Sequence, residues 1–293
     1  MSECDLFSDY VAFTTEKPFD FTKNSSIGCG GNAEIAFYPR TQEEMKKLLQ
    51  RLQCDKFNFY VLGNLTYVLP ADENVNKAVV STKKLIGIQI GKRVFVEAGV
   101  KSGNLIRACR NAGKSGVEFL TGIPCTLGGA LYMNAGVNGR YIAEIVESVF
   151  ILRDGKTVVL PIEEFKYGYK TSVFMNNGDV ILGATLRLED GDKRNIIETE
   201  KEYLKRRQHL PKGKSMGCVF KNPKGLFAGG LIEQAGLKGK RIGGAKISDT
   251  HANFIINENG ATSEDIKTLI RLIKTEVEKK CNVLLQEEIR YLT

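Results

Sequence analysis

The chain of 293 residues has a mass of 32.5 kDa, which is long enough for two or three packed units with a sizeable core. Its 42% hydrophobic and 26% charged residues are typical of a globular protein. No apolar run approaches the roughly 20 residues that a membrane span requires, which excludes membrane insertion. Seven dispersed cysteines without a CxxC pair, and only two histidines, indicate neither a disulfide framework nor a zinc site.

The formal net charge of +8 suits an anionic ligand such as a nucleotide, and would equally suit weak nucleic-acid binding. The basic residues are scattered, however, and the densest run, 201–207, lies inside a helical pattern. We interpret this run as a solvated helix face, so no nucleic-acid partner is expected. The N-terminus lacks a basic segment followed by an apolar core, and we expect a protein of the reducing cytoplasm.

The first half of the chain mixes strand and helix patterns. A short N-terminal helix is expected, followed by a turn-rich segment with Gly28, Gly30 and Gly31. Periodicity and capping signals then predict these elements in order: a strand at 34–38, a helix at 42–52 with Thr41 as N-cap, a strand at 57–62, a meander of strands at 77–82, 86–90 and 93–98, and a helix at 102–112.

The second half begins with a glycine-rich stretch at 121–139. The elements predicted after it are strands at 145–153 and 157–160 joined by an Asp154-Gly155 turn, a strand at 180–188, helices at 193–209 and 227–235, a strand at 253–257, a helix capped by Ser263 and ending at 280, and a final strand at 283–291. The composition changes at Glu189, which predicts a domain boundary between residues 189 and 190.

The stretch from Thr121 to Gly139 contains five glycines among small residues and one proline. Glycine lets a backbone approach a ligand closely, and amides in turns or at a helix N-terminus attract phosphates. Residues 130–133 could start a short buried helix after Gly129. A tight loop between two core elements is an equally good interpretation, because neither a Walker A string nor a GxGxxG fingerprint is present.

Three residues are candidates for chemistry. Cys218 precedes two apolar residues and a Lys-Asn pair, and a thiol near a lysine can donate a proton close to neutral pH. The alternative is that it fills space as a small buried hydrophobe. Glu288 lies among apolar residues, where it needs a partner or faces solvent, and Lys170 is either a surface lysine or a partner for a carboxylate in a cleft.

Six motifs occur together in a recognisable order. They are NSSIGCGGNAEIAFYP, GIPCTLGGALYMNAG, GYKTSVF, GCVFKNP, AGLKGKRIGGAKISDTHANFIINE and LLQEEIR. In order and spacing the chain resembles the flavoprotein UDP-N-acetylenolpyruvoylglucosamine reductases, also called UDP-N-acetylmuramate dehydrogenases, from about Asn24 to Tyr291. The spacing between Ser172 and Cys218 resembles the shorter class of that family.

The resemblance implies an α+β protein that binds FAD. Residues 22–189 would form an FAD-binding domain of the vanillyl-alcohol-oxidase (PCMH) type with two subdomains, at about 22–76 and 77–189, and residues 190–293 would form a C-terminal α+β substrate-binding domain. The family oxidises NADPH and reduces UDP-N-acetylglucosamine enolpyruvate to UDP-N-acetylmuramate for peptidoglycan synthesis, which serves cell shape and division.

The resemblance also implies site residues. Cys218 stands where the family usually has the serine that protonates the substrate carbanion, and Glu288 matches the catalytic glutamate. Lys170 replaces the usual arginine, which keeps the positive charge but loses bidentate bonding. The positions that match the family's substrate site are Tyr169, Lys221, Asn222 and Lys238, with Lys238 as a diphosphate contact.

Two loops match those that approach FAD. The implied cofactor-binding residues are Gly63, Asn64, Leu65, Thr66, Tyr67, Gly122, Ile123, Pro124, Cys125, Thr126, Gly128, Gly129, Asn134 and Gly136. The chain departs from the family at 65–67, where Gly-Ser-Asn is usual, and at Cys125, where glycine is usual. A side chain where positive φ or close backbone contact is needed costs on the order of 1–3 kcal/mol, which would weaken FAD binding by roughly tenfold or more.

These departures leave a second hypothesis open. A non-catalytic paralogue could keep the fold and a UDP-sugar site while losing the flavin, and act as a binding or regulatory protein in wall synthesis. This hypothesis is favoured by the substitutions at 65–67, Cys125 and Lys170.

Overall fold

The computed structural model describes Tyr10 and residues 12–293, and these form two compact units. The first unit contains the described residues up to Lys17, together with Ile35–Asn64 and Lys77–Arg206; the second contains Pro18–Glu34, Leu65–Asn76 and Arg207–Thr293. The chain therefore passes between the units several times. The boundary predicted between residues 189 and 190 stays a prediction.

The helices of the described chain are α1 Phe21–Asn24, α2 Gln42–Cys54, α3 Ser102–Asn111, α4 Leu127–Tyr132, α5 Lys193–Arg207, α6 Ala228–Gln234 and α7 Ser263–Cys281. The three longest are α2, α5 and α7. No helix in this part of the chain is long and apolar enough to cross a membrane.

Most of the strands are also short. They are β1 Thr15–Glu16, β2 Phe19–Asp20, β3 Asn32–Ala33, β4 Ala36–Phe37, β5 Phe59–Leu62, β6 Val68–Pro70, β7 Ala78–Ser81, β8 Ile88–Ile90, β9 Val94–Glu97, β10 Lys114–Ser115, β11 Gly136–Val137, β12 Arg140–Tyr141, β13 Val146–Arg153, β14 Lys156–Pro161, β15 Val180–Leu186, β16 Glu189–Asp190, β17 Lys214–Cys218, β18 Arg241–Ile242, β19 Ala245–Ile247, β20 Phe254–Asn257 and β21 Arg290–Leu292.

The first unit contains a mixed four-stranded sheet with the order β1-β4-β7-β5, in which β7 is parallel to both β4 and β5. Helix α2 connects β4 to β5, and its apolar face, Met45, Leu48, Leu49 and Leu52, is fully buried in the core beside this sheet. The hydroxyl of Thr41 accepts a hydrogen bond from the backbone N–H of Glu44 at 3.0 Å, which confirms the predicted N-cap.

The same unit contains an antiparallel sheet with the order β14-β13-β15-β9-β8. Asp154 and Gly155 join β13 to β14 with positive φ at both residues, 49° and 71°, which confirms the predicted two-residue turn. The predicted meander is wrong in one respect. The strand at 78–81 belongs to the mixed sheet, because a turn of 3₁₀ helix at Thr82–Lys84 separates it from β8 and β9.

The second unit is built on the antiparallel sheet β17-β20-β19-β18, with α6 and α7 packed in the same hydrophobic core. Helix α7 is capped by Thr262 rather than Ser263, because Thr262 and Asp265 form a reciprocal capping box. The turn-rich segment after Phe21 packs here, since the Asn257 amide donates to the Ile27 and Gly28 carbonyls at 2.9 and 3.0 Å.

Two predicted elements at the ends of the chain differ from the structure. The N-terminal helix falls largely outside the described residues, and the described part of that region forms β1 and β2. The final strand predicted at 283–291 is reduced to β21, because the segment before it makes only an isolated bridge, between Phe220 and Glu287. Strand β21 pairs in parallel with β6, with Arg290 opposite Val68.

Candidate active site and cofactor cradle

The helix within the glycine-rich stretch begins earlier in the chain than the sequence indicated, before Gly129 and not after it. Thr126 caps α4, which begins at Leu127 and already contains Gly128 and Gly129. A Cβ on Gly128 would lie 3.1 Å from the Cβ of Ala98, so this glycine lets the helix start pack tightly against the end of β9. A side chain here would push the helix away from the sheet.

The first amides of α4 are already engaged within the first unit. Leu127 N–H donates to the Val100 carbonyl at 2.9 Å, Gly128 N–H donates to Ala98 at 2.8 Å, and Gly129 N–H donates to the Thr126 hydroxyl at 3.4 Å. The helix start therefore serves to anchor this segment to the sheet. The expectation that these amides point at a phosphate is not supported by the contacts.

The loop after β5 lies directly against this stretch. The Asn64 side-chain amide donates to the Pro124 carbonyl at 2.9 Å. A Cβ on Gly63 would lie 2.4 Å from the Thr126 hydroxyl oxygen, so only glycine fits. The two loops that sequence reasoning assigned to the cofactor are thus brought together at Gly63, Asn64, Pro124 and Thr126.

The two departures from the family differ in their backbone conformation. Leu65 has φ of +51°, a region that residues with a Cβ rarely adopt, and its side chain is buried. Cys125 is not among the positive-φ residues; its N–H donates to Ile123 and its carbonyl accepts from Ser102. The predicted backbone strain is therefore present at Leu65, and positive φ gives no reason to expect it at Cys125.

Sequence reasoning missed two polar groups beside the glycine-rich stretch. The Thr121 hydroxyl and one carboxylate oxygen of Glu118 are buried and have no hydrogen-bond partner among the described residues. The other oxygen of Glu118 accepts from the Gly116 N–H at 2.7 Å. Buried polar groups are nearly always paired, so an unused hydroxyl next to Gly122 is a candidate ligand contact. No sequence signal pointed to this contact, because the segment before it, Glu118–Leu120, is largely apolar and forms only a short 3₁₀ helix.

Lys170 and Tyr169 lie at the tip of a tight turn in the first unit. Gly168 and Thr171 pair with each other across the turn, and Lys170 has φ of +56°. The Asn134 side chain donates to the Gly168 carbonyl at 2.8 Å, and the Ser172 hydroxyl donates to the Tyr132 carbonyl at 2.7 Å. These bonds fix the Lys170 turn to the end of α4. The contacts recorded for Asn134 are thus structural, and its predicted role in cofactor binding stays a prediction.

In the second unit, Cys218 is the last residue of β17 and is half-buried. Gly217 before it has φ of +75°, and the pairing of β17 with β20 shifts register between Ser215 and Cys218. This irregularity ends regular pairing where the thiol is presented. Asn253 then holds the following segment, since its side chain binds both the N–H and the carbonyl of Phe220, at 2.9 and 2.8 Å.

Glu288 lies beside this segment. Its N–H donates to the Val219 carbonyl at 2.7 Å, and the Lys221 N–H donates to Gln286 at 2.8 Å. The Glu288 side chain is 4% exposed, which settles the open question about its orientation. The residue faces the interior, where an ionised carboxylate needs hydrogen-bond donors.

Tyr67 supplies such a donor. Its phenol hydrogen-bonds to the Glu288 carboxylate. Burial raises the pKa of Tyr67 well above that of an ordinary tyrosine, the charges of Glu288 and Cys218 and the hydrogen bond raise it further, and Arg207 lowers it. The structure therefore brings together Tyr67, Cys218 and Glu288.

Of the three other predicted substrate residues of the second unit, Asn222 is exposed, and Lys221 and Lys238 are half-buried. The Asn222 side chain accepts from the Ala228 N–H at 3.0 Å and so supports the start of α6. Lys238 forms an ion pair with Glu233 at 2.6 Å, and Lys221 is half-buried. No contact with a ligand follows from these positions, and their roles stay predictions.

The fold and the paired loops define the protein first as a flavoprotein. Residues 33–161 match the family model described as FAD binding domain, and residues 208–292 match the C-terminal domain of UDP-N-acetylenolpyruvoylglucosamine reductase. These matches confirm the predicted α+β class with a vanillyl-alcohol-oxidase-type FAD-binding fold.

Comparison with individual proteins narrows the class. The enzyme of that name from Alkaliphilus oremlandii is 34% identical, over 98% of both chains, and that from Lactobacillus acidophilus is 37% identical, over 94% of this chain and 92% of the relative. The crystal structure of the reductase from Thermus caldophilus superposes with a TM-score of 0.84 at 33% identity, covering 96% of this chain and all of that one. The chain belongs to the UDP-N-acetylenolpyruvoylglucosamine reductase family.

Proposed function

We propose that the protein is the FAD-dependent, NADPH-oxidising reductase that converts UDP-N-acetylglucosamine enolpyruvate to UDP-N-acetylmuramate in the cytoplasm, for peptidoglycan synthesis. Family membership supports the reaction. The single structural observation that carries the proposal is the placing of the Cys218 thiol and the Glu288 carboxylate on adjoining segments, joined by the Glu288 N–H bond to Val219. A half-buried acid beside a buried carboxylate is what a proton-transfer site requires.

The residues of the first unit fit FAD in part. The two loops that meet at Gly63 and Pro124, and the unused Thr121 hydroxyl, would hold the cofactor. Leu65, which belongs to the second unit, would lower its affinity, because its backbone has the strained positive φ that residues with a Cβ rarely adopt. When bound, FAD supplies the two-electron chemistry that passes a hydride from NADPH to the enolpyruvyl group.

We assign the proton to Cys218. The S–H bond at Sγ breaks as a C–H bond forms on the substrate carbon that carries negative charge, and the thiolate is reprotonated from solvent. Glu288, which matches the catalytic glutamate of the family, would lie beside it. Lys170, presented by its tight turn, would supply positive charge to the substrate carboxylate, and Tyr169, Lys221, Asn222 and Lys238 would bind the UDP-sugar.

The visible absorption spectrum of the purified protein, before and after incubation with FAD, tests the cofactor. Flavin bands that persist through desalting, followed by NADPH oxidation that depends on the enolpyruvyl substrate, would support the proposal. A protein that stays colourless at high FAD would contradict it and favour the non-catalytic paralogue.

Substitution of the thiol tests the proton donor. General acid catalysis contributes on the order of 10²–10⁴ in rate, so Cys218→Ala should lower kcat by that factor while FAD binding persists. The kcat of Cys218→Ser should lie between those of the parent and of Cys218→Ala, because serine keeps a hydroxyl, which is a weaker acid than a thiol. Equal kcat for all three proteins would remove Cys218 from the mechanism.

A further inference from the structure

Tyr67 belongs to the loop that sequence reasoning assigned to the cofactor, and its side chain lies beside the segments that carry Cys218 and Glu288. The strand that follows it, β6, pairs in parallel with β21, and the Tyr67 carbonyl accepts from the Arg290 N–H at 2.9 Å. This pairing places Tyr67 next to the residues just before β21, among which is Glu288. The backbone on both sides of the contact is therefore fixed by strand hydrogen bonds.

The phenol also lies over the residue that precedes Cys218. A Cβ on Gly217 would be 3.5 Å from the Tyr67 hydroxyl oxygen. The hydroxyl thus lies between the carboxylate of Glu288, to which it is hydrogen-bonded, and the end of β17 that presents the thiol. Glu288, Cys218 and Arg207 are the charged and titratable groups that act on it most strongly.

We propose that Tyr67 is a positioning residue that donates its phenol proton to a hydrogen bond with Glu288 and holds this carboxylate beside the Cys218 thiol. The proposal rests on the reductase function. A carboxylate has several rotamers, and one donor fixed by strand pairing selects among them. Because burial and nearby charge keep the phenol protonated through the neutral range, it remains a donor at every pH at which the enzyme would work.

Kinetics of Tyr67→Phe test the role, with Tyr291→Phe as a matched control. Tyr291 makes the same kind of bond one residue away, donating to Glu287 at 2.6 Å, but on the exposed side. We expect Tyr67→Phe to lower kcat by about 10–100-fold with KM within about twofold. A fall in kcat at unchanged KM, in protein that is fully folded and has FAD bound, is what a positioning role predicts.

A structural role alone would lower stability, while kcat per folded molecule would stay as in the parent. Tyr291→Phe should leave both kcat and KM as in the parent. The proposal is overturned if Tyr67→Phe folds, binds FAD and behaves kinetically like Tyr291→Phe. It is also overturned if kcat falls only in proportion to the folded fraction.

A second measurement needs neither FAD nor turnover. Phenolate absorbance is followed against pH in two cofactor-free proteins, the Tyr291→Phe variant and the Tyr67→Phe/Tyr291→Phe double variant. The transition that is present in the first protein and absent from the second belongs to Tyr67. Glu288→Gln should move this transition to lower pH, because both the charge and the hydrogen bond of Glu288 raise the pKa of Tyr67. Glu287→Gln is the control and should not move it.

The two measurements separate two kinds of failure. A Tyr67 transition that is indifferent to Glu288→Gln would show that the contact is absent, whatever the enzyme does. Coupled titration in a protein that oxidises no NADPH would instead overturn the reductase function, and with it any part for Tyr67 in catalysis.

Discussion

The side-chain amide of Asn134 donates to the Gly168 carbonyl at 2.8 Å, and so joins the end of α4 to the turn that presents Lys170. The carbonyl of the same side chain accepts from the Ala143 N–H at 3.4 Å, and Asn134 itself has φ of +43°. Asparagine tolerates this left-handed conformation better than other residues with a Cβ. One residue therefore meets three structural demands at once.

Asn134→Ala should destabilise the protein by about 2–4 kcal/mol, because the buried Ala143 N–H and the half-buried Gly168 carbonyl lose their partner and alanine resists positive φ. The KM for the substrate should rise as the Lys170 turn loosens. Urea unfolding and steady-state kinetics provide the measurements. Ser172→Ala, which removes only the bond to Tyr132, should cost about 1 kcal/mol. A free energy of unfolding within about 0.5 kcal/mol of the parent for Asn134→Ala would refute this account.

At position 65 we expect the glycine variant to be more stable than the alanine variant, which is the reverse of the usual order. Both Leu65→Ala and Leu65→Gly lose a buried side chain, at about 2–5 kcal/mol. At φ of +51°, however, glycine avoids a cost of about 1–2 kcal/mol that alanine bears, which exceeds the backbone entropy of about 0.5–1 kcal/mol that glycine loses.

We therefore expect Leu65→Gly to unfold at higher urea concentration than Leu65→Ala. Leu49, buried in the middle of α2, is the matched position, and there alanine should be the more stable by about 1 kcal/mol. The same order at both positions would show that positive φ at Leu65 carries no cost.

Local signals were predictable from the sequence and long-range ones were not. The Thr41 cap and the Asp154-Gly155 turn follow from residues within three positions of each other, and both are confirmed. The last strand was overextended because its partner, β6, is more than 200 residues away in the chain and pairs only over Arg290–Leu292.

The candidate site shows the same division. The motifs identified Cys218 and Glu288, but nothing near either residue in sequence points to Tyr67, which meets them only through the pairing of β6 with β21. The glycine-rich stretch was recognised as a candidate site. The hydrogen bonds from its helix amides to the carbonyls of Ala98 and Val100 were not predictable, because those residues lie in a separate segment of the chain.

Gly63 tests the cofactor cradle. Gly63→Ala would place a Cβ 2.4 Å from the Thr126 hydroxyl and force apart the two loops, so FAD should bind at least about tenfold more weakly. Gly103→Ala is the control: a Cβ there meets nothing within 4 Å, and alanine in α3 should raise stability by up to about 1 kcal/mol without changing FAD affinity. Flavin fluorescence titration measures the affinity. Equal affinities for both variants would exclude Gly63 from the cradle.

Cys109 should make stability sensitive to alkali. Burial, reinforced by the charge of Glu118, raises the pKa of this fully buried thiol from an ordinary value of 9.0 to about 12. Above about pH 9 the unfolded chain loses a proton that the folded chain keeps, so the free energy of unfolding falls as pH rises, until the folded thiol also ionises near pH 12. One such group contributes a slope of at most about 1.4 kcal/mol per pH unit.

Other groups also have raised pKa values, namely Tyr10, Cys29, Tyr38, Tyr67 and Tyr291, so the diagnostic quantity is a difference between variants. Urea unfolding of the parent and of Cys109→Ala at about pH 8 and pH 10.5 should show the variant losing less stability with pH, since alanine does not titrate. Cys54→Ala, at an exposed thiol, should lose as much as the parent. If Cys109→Ala loses stability as steeply as the parent, Cys109 does not govern alkaline unfolding, and Cys29 and the tyrosines with raised pKa values are left as its source.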